Sequence, residues 1–356
     1  GAPQHQAASD GRLAGYDRII LLHMPMVCSR SVRAVLCHCR FQTALKKHSI
    51  DSVRTVRSSR SRSRGCSEAA CQPRTEPRKL GSYVVSDLNI RNLGSDARHA
   101  LRRDLWEHGL LVLKTGSVMT ASELETFARD TFGNEVLPIQ APRDSKIPDE
   151  LYSPFVALMG NPKGLEQLRP SNSEARVGTQ IWHVDKQPLP KQGPPEDKPY
   201  VAMMHVIQNA FPGHATSFLD MRTAQENLTS SRQAWWLAQS MWHLDPFGAN
   251  RDKCLRALHP LVHHHVFTGK LSLHVGPSRE RSILQGMEKD TQEMQEANWC
   301  YLVDEAASVG DVYHHVWEHG DLVIWDNSQL LHRSNPYDKS EHLRKALRVG
   351  VICAEE

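Results

Sequence analysis

Cysteine is sparse in this 356-residue chain, with eight in all. Five of them fall in the first 71 positions (Cys28, Cys37, Cys39, Cys66 and Cys71), and Cys254, Cys300 and Cys353 follow without any Cys-x-x-Cys spacing. That distribution excludes a disulfide scaffold and a cysteine-ligated zinc module, and it suits a reducing, intracellular setting. Long apolar runs are also missing. The longest candidate, Ile19 to Cys28, is half the length of a membrane-crossing helix and is broken by His23 and Pro25, so no membrane span is expected. There is no internal repeat of fixed period. What is present, 40% hydrophobic and 23% charged residues, is ordinary for a chain that buries a real core. The length exceeds one average domain but stays within reach of a single large barrel or sandwich.

Acidic residues are scarce at one end only. Residues 1–80 hold 15 Lys and Arg against 5 Asp and Glu, a net of +10, whereas the remainder carries −7. The basic segment lacks sustained periodicity and runs into Ser58-Ser-Arg-Ser-Arg-Ser-Arg64, so disorder is expected there. An organelle transit peptide, a nucleic-acid arm and a merely solvated extension all share this composition. The chain divides into residues 1–80, a basic extension, and residues 81–356, a folded domain. The compartment is accordingly cytoplasmic, or mitochondrial or plastid if the extension is a transit peptide.

The acidic body alternates helix and strand signals. Ser95 to His108 places Ala97, Leu101, Leu105 and Trp106 on one face, with Gly109 to end the helix. Leu110 to Leu113 reads as a buried strand. Thr120-Ala-Ser-Glu123 is a capping box opening a helix with Leu124, Phe127, Ala128 and Phe132 on its apolar face. Thr223-Ala-Gln-Glu226 reads as a second capping box. Strands are expected at Tyr200–Ile207, Ser217–Met221, Leu271–Val275, Asp321–Trp325 and Leu347–Ile352. Strands joined by Gly- and Pro-bearing connections favour a double-sheet or barrel-like β core with helices outside, over a doubly wound parallel sheet.

Chemistry concentrates at Ile181-Trp-His-Val-Asp185. If this stretch is extended, period-two alternation sets His183 and Asp185 on one face, as two metal ligands or as a hydrogen-bonded structural pair. Downstream, Gly320-Asp-Leu-Val-Ile-Trp-Asp-Asn327 reads as a strand running into a turn, followed by Leu331-His332. A second imidazole from there would complete a two-His-one-carboxylate facial set, which leaves three positions open on an octahedral ion. Trp242-His-Leu-Asp245 repeats the His-x-Asp pattern, but it follows Trp236, Leu237 and Met241 and reads as the surface end of a helix, where i and i+2 diverge. On a strand, Arg344, Ala346 and Arg348 share a face, so a guanidinium fork could point into the barrel and bind a carboxylate.

These segments taken together resemble the taurine dioxygenase/TfdA (TauD/TfdA) family of Fe(II)- and 2-oxoglutarate-dependent dioxygenases. The likeness covers about residues 81–353 through Leu105–Lys114, Trp182–Asp185, Gly213-His-Ala-Thr-Ser-Phe-Leu-Asp-Met-Arg-Thr-Ala224, His259–Val262, Gly320–Asn327, Leu331–Arg333 and Arg344–Arg348. The resemblance implies a double-stranded β-helix, or jelly-roll, core of cupin type. It implies that His183, Asp185 and His332 hold Fe(II) and do the catalytic work, and that Thr216 and Arg344 bind the distal carboxylate of 2-oxoglutarate. Arg348 would lie near the substrate or the other end of the cosubstrate, with O2 as the second cosubstrate. The expected reaction hydroxylates a C–H bond of a small anionic substrate and releases succinate and CO2; a catalytically inactive family member serving as a scaffold is the alternative. Two departures stand out. Gly-His-Ala-Thr replaces the family's frequent Gly-Gly-Asp-Thr, and Lys186-Gln187-Pro188 follows the metal Asp.

Other histidines read differently. His263-His-His265 reads as a polar turn, His205 as a satisfied core histidine, His314 and His315 as structural, while His214 beside the cosubstrate loop is left open. Thr179 and Lys186 are candidate substrate-pocket residues. The partners expected are a small molecule and, in an open question, further copies of the chain; nucleic acid and membrane are disfavoured.

Overall fold

The computed structural model describes residues 79–81, 83–86, 89–133, 135–136, 147–160, 180–185, 198–209, 215–244, 254–335 and 344–353. The basic segment through residue 78 lies outside them. The first half contributes β1 (Val84–Ser86), α1 (Ser95–His108), β2 (Leu110–Lys114), α2 (Ala121–Phe132), β3 (Glu135–Val136) and β4 (Ala157–Gly160). Next come β5 (Tyr200–Asn209), β6 (Ala215–Asp220), α3 (Met221–Asn227), α4 (Ser230–Leu237), β7 (Ser240–Leu244) and β8 (Arg256–Pro260). The chain continues through β9 (Val262–His264), β10 (Leu271–Leu273), β11 (Ser282–Leu284) and α5 (Gln292–Val309). It closes with β12 (Val312–Val316), β13 (Asp321–Asp326), β14 (Leu330–Ser334) and β15 (Arg344–Ile352).

Seven strands form the larger sheet in the order β1-β2-β13-β5-β15-β3, with β4 also paired to β15. Its two faces follow directly from strand alternation. Leu111, Leu113, Met203, Leu322, Ile324, Leu347 and Val349 point to one side, where Leu105 of α1 and Leu124, Phe127 and Phe132 of α2 cover them. Leu110, Val112, Tyr200, Ala202, Met204, Val323, Trp325 and Ala346 point to the other, against Phe218 and Leu330 of a three-stranded sheet β12-β6-β14. In that smaller sheet the next residues, Leu219 and Leu331, face outward and are covered by Leu302, Val303 and Ala306 of α5. Two facing sheets with helices outside make the jelly-roll core. Its interior is the layer between them.

The helix signals translate closely. Gly109 adopts a φ of 73° at the end of α1, a region open to glycine at little cost. Thr120 accepts from Glu123 N–H while Glu123 accepts from Thr120 N–H, so both halves of the capping box are made.

Three expectations need correction. Thr223 does not cap a helix: α3 starts two residues earlier, because Asp220 at the end of β6 accepts from the backbone N–H groups of Arg222 and Thr223. The buried Arg222 side chain then pairs with Asp220 and donates to the carbonyls of Glu107 and His108 at the C-terminal end of α1. His243 does not end a helix at the surface. Helix α4 stops at Leu237, and Ser240–Leu244 is a strand flanked by β8 and β11, with His243 fully buried. Pairing on both sides satisfies its backbone and overrides the helical spacing of Trp236 and Met241. His263 and His264 likewise belong to a strand, β9, and His265 beyond it is buried against Asp326.

Candidate metal centre

Each backbone N–H of the His183-Val184-Asp185 segment has a defined partner. His183 and His332 exchange two backbone hydrogen bonds of 3.0 Å, which attaches the segment to β14 as an extra rung of the smaller sheet. Val184 N–H donates to Pro277 O at 3.2 Å, and Asp185 N–H donates to the Asn327 side-chain carbonyl at 3.1 Å. His332 itself is set by β14, in register with Phe218 of β6. The alternation expected for His183 and Asp185 thus holds, although the segment is a single bridge and not a regular strand.

The three side chains converge. His332 Nε2 lies 3.4 Å from Asp185 Oδ1 and His183 Nε2 lies 4.0 Å from it. One ligating atom from each residue falls within 4.8 Å of the others, and among the described residues no other set of three His, Cys, Asp or Glu groups does so. His183 Nδ1–H donates to Ile181 O at 2.8 Å, which leaves the Nε2 lone pair turned toward the carboxylate. Burial, and then His332, push the His183 imidazole down to about 3, so it is neutral. Burial alone would raise the Asp185 carboxyl, but the Arg348 guanidinium beside it and the hydrogen bond with His332 overcome this and hold it well below the usual carboxylate range. Its Oδ2 is buried and makes no hydrogen bond to a described residue. A buried, ionised oxygen without a donor is costly unless a cation is meant to meet it. Two imidazole nitrogens and one carboxylate form a donor set that suits a divalent transition metal.

The remaining candidates lie on the same interior layer. Thr216 on β6 is buried, and its Oγ1 accepts from Trp317 Nε1 at 2.9 Å. The buried Arg344 guanidinium stands 5.9 Å from the centre of the same indole and reaches Met204 Sδ at 3.7 Å. Trp317 therefore links the two residues, and sequence reasoning missed it because nothing in Val316-Trp-Glu318 marks it. Arg348, two inward positions along β15, forms an ion pair with Asp185. Tyr200 packs its phenol directly on Gly350, the next inward residue, where a side-chain carbon would collide with the ring. Phe218 and Trp325 flank the His332 ring at 6.1 and 5.1 Å between centroids. Thr179, Lys186 and His214 lie outside the described residues.

The other histidines are held away from this centre. His205 accepts from Met119 N–H and its second nitrogen bonds Asp321 O, the satisfied core arrangement expected of it. His314 bonds Ser217, and His315 bonds Asp321. His243 stacks between His259 and His274 at 4.4 and 4.8 Å, and His263 follows at 4.6 Å from His274. Burial first, and then the neighbouring imidazoles, push His243 and His274 well below the usual histidine value; burial lowers His263 and takes His205 to about 4. In the unfolded chain these rings accept protons near pH 6.5, whereas in the folded chain they refuse them. Their contribution is intact above about pH 6.5 and is lost as the pH falls below it. The thermal midpoint is expected to drop progressively from pH 6.5 to 5, each excluded proton costing about 1.4 kcal/mol per pH unit. A flat profile over that range contradicts this reading.

Among the described residues, no helix is long and apolar enough to cross a membrane. Residues 75–349 match the family described as "Taurine catabolism dioxygenase TauD, TfdA family". The (S)-phenoxypropionate/alpha-ketoglutarate-dioxygenase of Delftia acidovorans is 32% identical over 181 residues, 46% of this chain and 57% of that protein. The chain thus spans little more than half the length of that relative. The alpha-ketoglutarate-dependent 2,4-dichlorophenoxyacetate dioxygenase of Cupriavidus pinatubonensis is 27% identical over 74% of this chain and 92% of its own. A taurine dioxygenase structure from Burkholderia xenovorans superposes with a TM-score of 0.57 at 16% identity, covering 78% of this chain and 90% of its own. The structure of AAD-2 in complex with Mn(II) and N-oxalylglycine does so with a TM-score of 0.56 at 19% identity, covering 78% and 97%. Those likenesses speak for the fold, and the family match covers most of the chain: this protein belongs to the TauD/TfdA family.

Proposed function

We propose that the chain is an Fe(II)- and 2-oxoglutarate-dependent dioxygenase that hydroxylates a C–H bond of a small organic anion. The observation that carries this reading is the convergence of His183, Asp185 and His332, with a buried Asp185 oxygen lacking a donor among the described residues. These three residues would hold Fe(II), and Thr216 and Arg344 would take the distal carboxylate of 2-oxoglutarate. Arg348 would meet the near carboxylate or the substrate. When bound, the ferrous ion supplies the O2 chemistry that converts 2-oxoglutarate to succinate and CO2 and hydroxylates the substrate.

The chain's own share is placement and exclusion. Ile181 O fixes the His183 tautomer, and the paired backbone of His183 and His332 fixes the spacing of the two imidazoles. Arg344 presents a buried cation in an apolar layer beside Trp317 and Met204, where a carboxylate is bound far more strongly than in water. Arg348 supplies a second cation, paired with Asp185, while Phe218 and Trp325 pack around the His332 ring. Thr179 and Lys186 would contact the substrate. Residues 1–80 take no part in the chemistry, and the catalytic domain is residues 81–356. Loss of a ligand is the expected mark of an inactive scaffold, and all five positions carry the expected residue type.

Two cationic side chains facing one interior layer suit an anionic substrate, and relatives named for phenoxypropionate and 2,4-dichlorophenoxyacetate point to aryloxy acids. A panel of aryloxy and alkyl carboxylates and sulfonates is expected to contain an acid that stimulates succinate release severalfold over the substrate-free rate. If neutral compounds stimulate release and no acid does, the substrate class is wrong.

A further inference from the structure

We infer that Asn327 is a positioning residue that sets the Asp185 carboxylate for metal binding, an inference that rests on the metal reading above. Asn327 occupies the turn between β13 and β14 and is buried. Its side-chain carbonyl accepts Asp185 N–H at 3.1 Å, while its side-chain NH2 and its backbone N–H both donate to Tyr200 O at 3.1 Å. One side chain thereby joins three separate parts of the fold: the Asp185 segment, the start of β5, and the turn that leads to His332.

Of the three backbone N–H groups in His183-Val184-Asp185, the first two are held by main-chain carbonyls and only the third by a side chain. Asp185 is therefore the ligand whose backbone is fixed by a removable group. The turn bearing Asn327 is itself rigid. Asp326 accepts from Ser328 N–H, Ser328 Oγ and Gln329 Nε2, and bonds His265 Nε2 at 2.9 Å. A fixed turn transmits its position to Asp185 through a single hydrogen bond. Outer groups of this kind orient a ligand and change metal affinity without touching the metal. Tyr200 extends the frame, since its carbonyl receives Asn327 and its phenol rests on Gly350, two residues from Arg348.

Mn(II) alone, titrated calorimetrically into the full chain, tests this. Asn327→Leu keeps the volume and removes the hydrogen bonds; it is expected to weaken Mn(II) binding about ten- to a hundredfold. Asn327→Ser, too short to reach both Asp185 and Tyr200, is expected to do the same, and it replaces the leucine variant if that one does not fold. Thr120→Ala, a lost helix cap remote from the centre, lowers the thermal midpoint and is expected to leave Mn(II) affinity within twofold. Unchanged Mn(II) affinity in the Asn327 variants overturns the positioning role, as does an equal weakening in Thr120→Ala. Failure of the unaltered chain to bind Mn(II) overturns the metal reading itself.

Discussion

Replacing His332 with alanine is expected to abolish Fe(II) retention and substrate-stimulated succinate release together. His332 Nε2 stands 3.4 Å from Asp185 Oδ1, on a paired strand that fixes its backbone through two 3.0 Å bonds to His183. Without that imidazole, one nitrogen and one carboxylate remain, too few protein ligands to hold a labile divalent ion against water. The substitution also opens space between Phe218 and Trp325, which costs some stability, so folding is checked alongside by circular dichroism. His332→Gln keeps more of that volume and is expected to lose the metal too. Iron content after desalting is the deciding measurement. A folded His332→Ala protein that keeps stoichiometric iron and turns over places the ligand elsewhere.

Arg344→Ala is expected to raise the 2-oxoglutarate requirement by on the order of a hundredfold or more, the usual consequence of removing one partner from a buried charge pair. Arg344 is buried, lies over Trp317, and shares that indole with Thr216, so the two proposed carboxylate-binding residues form one cluster. Its guanidinium lies against Trp317 and Met204, and metal affinity in the absence of 2-oxoglutarate is expected to stay within a fewfold of the starting protein. Arg344→Lys retains the charge but loses the planar fork, and it should fall between. The measurement is the 2-oxoglutarate KM at saturating iron and substrate, paired with Mn(II) titration. An unchanged KM removes Arg344 from the cosubstrate site.

The legible part of this fold was local. Ser95–His108 with Gly109, and the Thr120–Glu123 box, are read correctly because a helix end depends on a few adjacent residues. Leu110–Leu113 and Leu322–Trp325 are apolar on both faces, which fits strands covered by helices on one side and a second sheet on the other. The failures involve competition at a distance. Trp236 and Met241 share a helical spacing, yet β8 and β11 claim Ser240–Leu244 for a sheet. Asp220 takes over the cap that the Thr223-Ala-Gln-Glu226 pattern offers, because only the folded chain ends β6 immediately before α3.

The site divides along the same line. His183 and Asp185 are two residues apart, and alternation alone suggests their common face. Arg344 and Arg348 follow β15 in the same way, with Ala346 between them in the interior layer. His332 is legible only as a candidate second imidazole beyond Gly320–Asn327, and the family resemblance assigns its role, since nothing local pairs it with a residue 149 positions earlier (from 183 to 332). Asn327 reads as an ordinary turn residue and Trp317 as an ordinary core aromatic. Their roles exist only through hydrogen bonds to Asp185 and Thr216, made across the fold.

Anaerobic titration of Fe(II) into the full chain with 2-oxoglutarate present bears most directly on the metal centre. One equivalent of iron should bind and give a weak visible absorption that requires both additions and vanishes in His332→Ala. Iron binding with no such band, or a band that survives the loss of His332, contradicts the proposed meeting of His183, Asp185 and His332 around one ferrous ion.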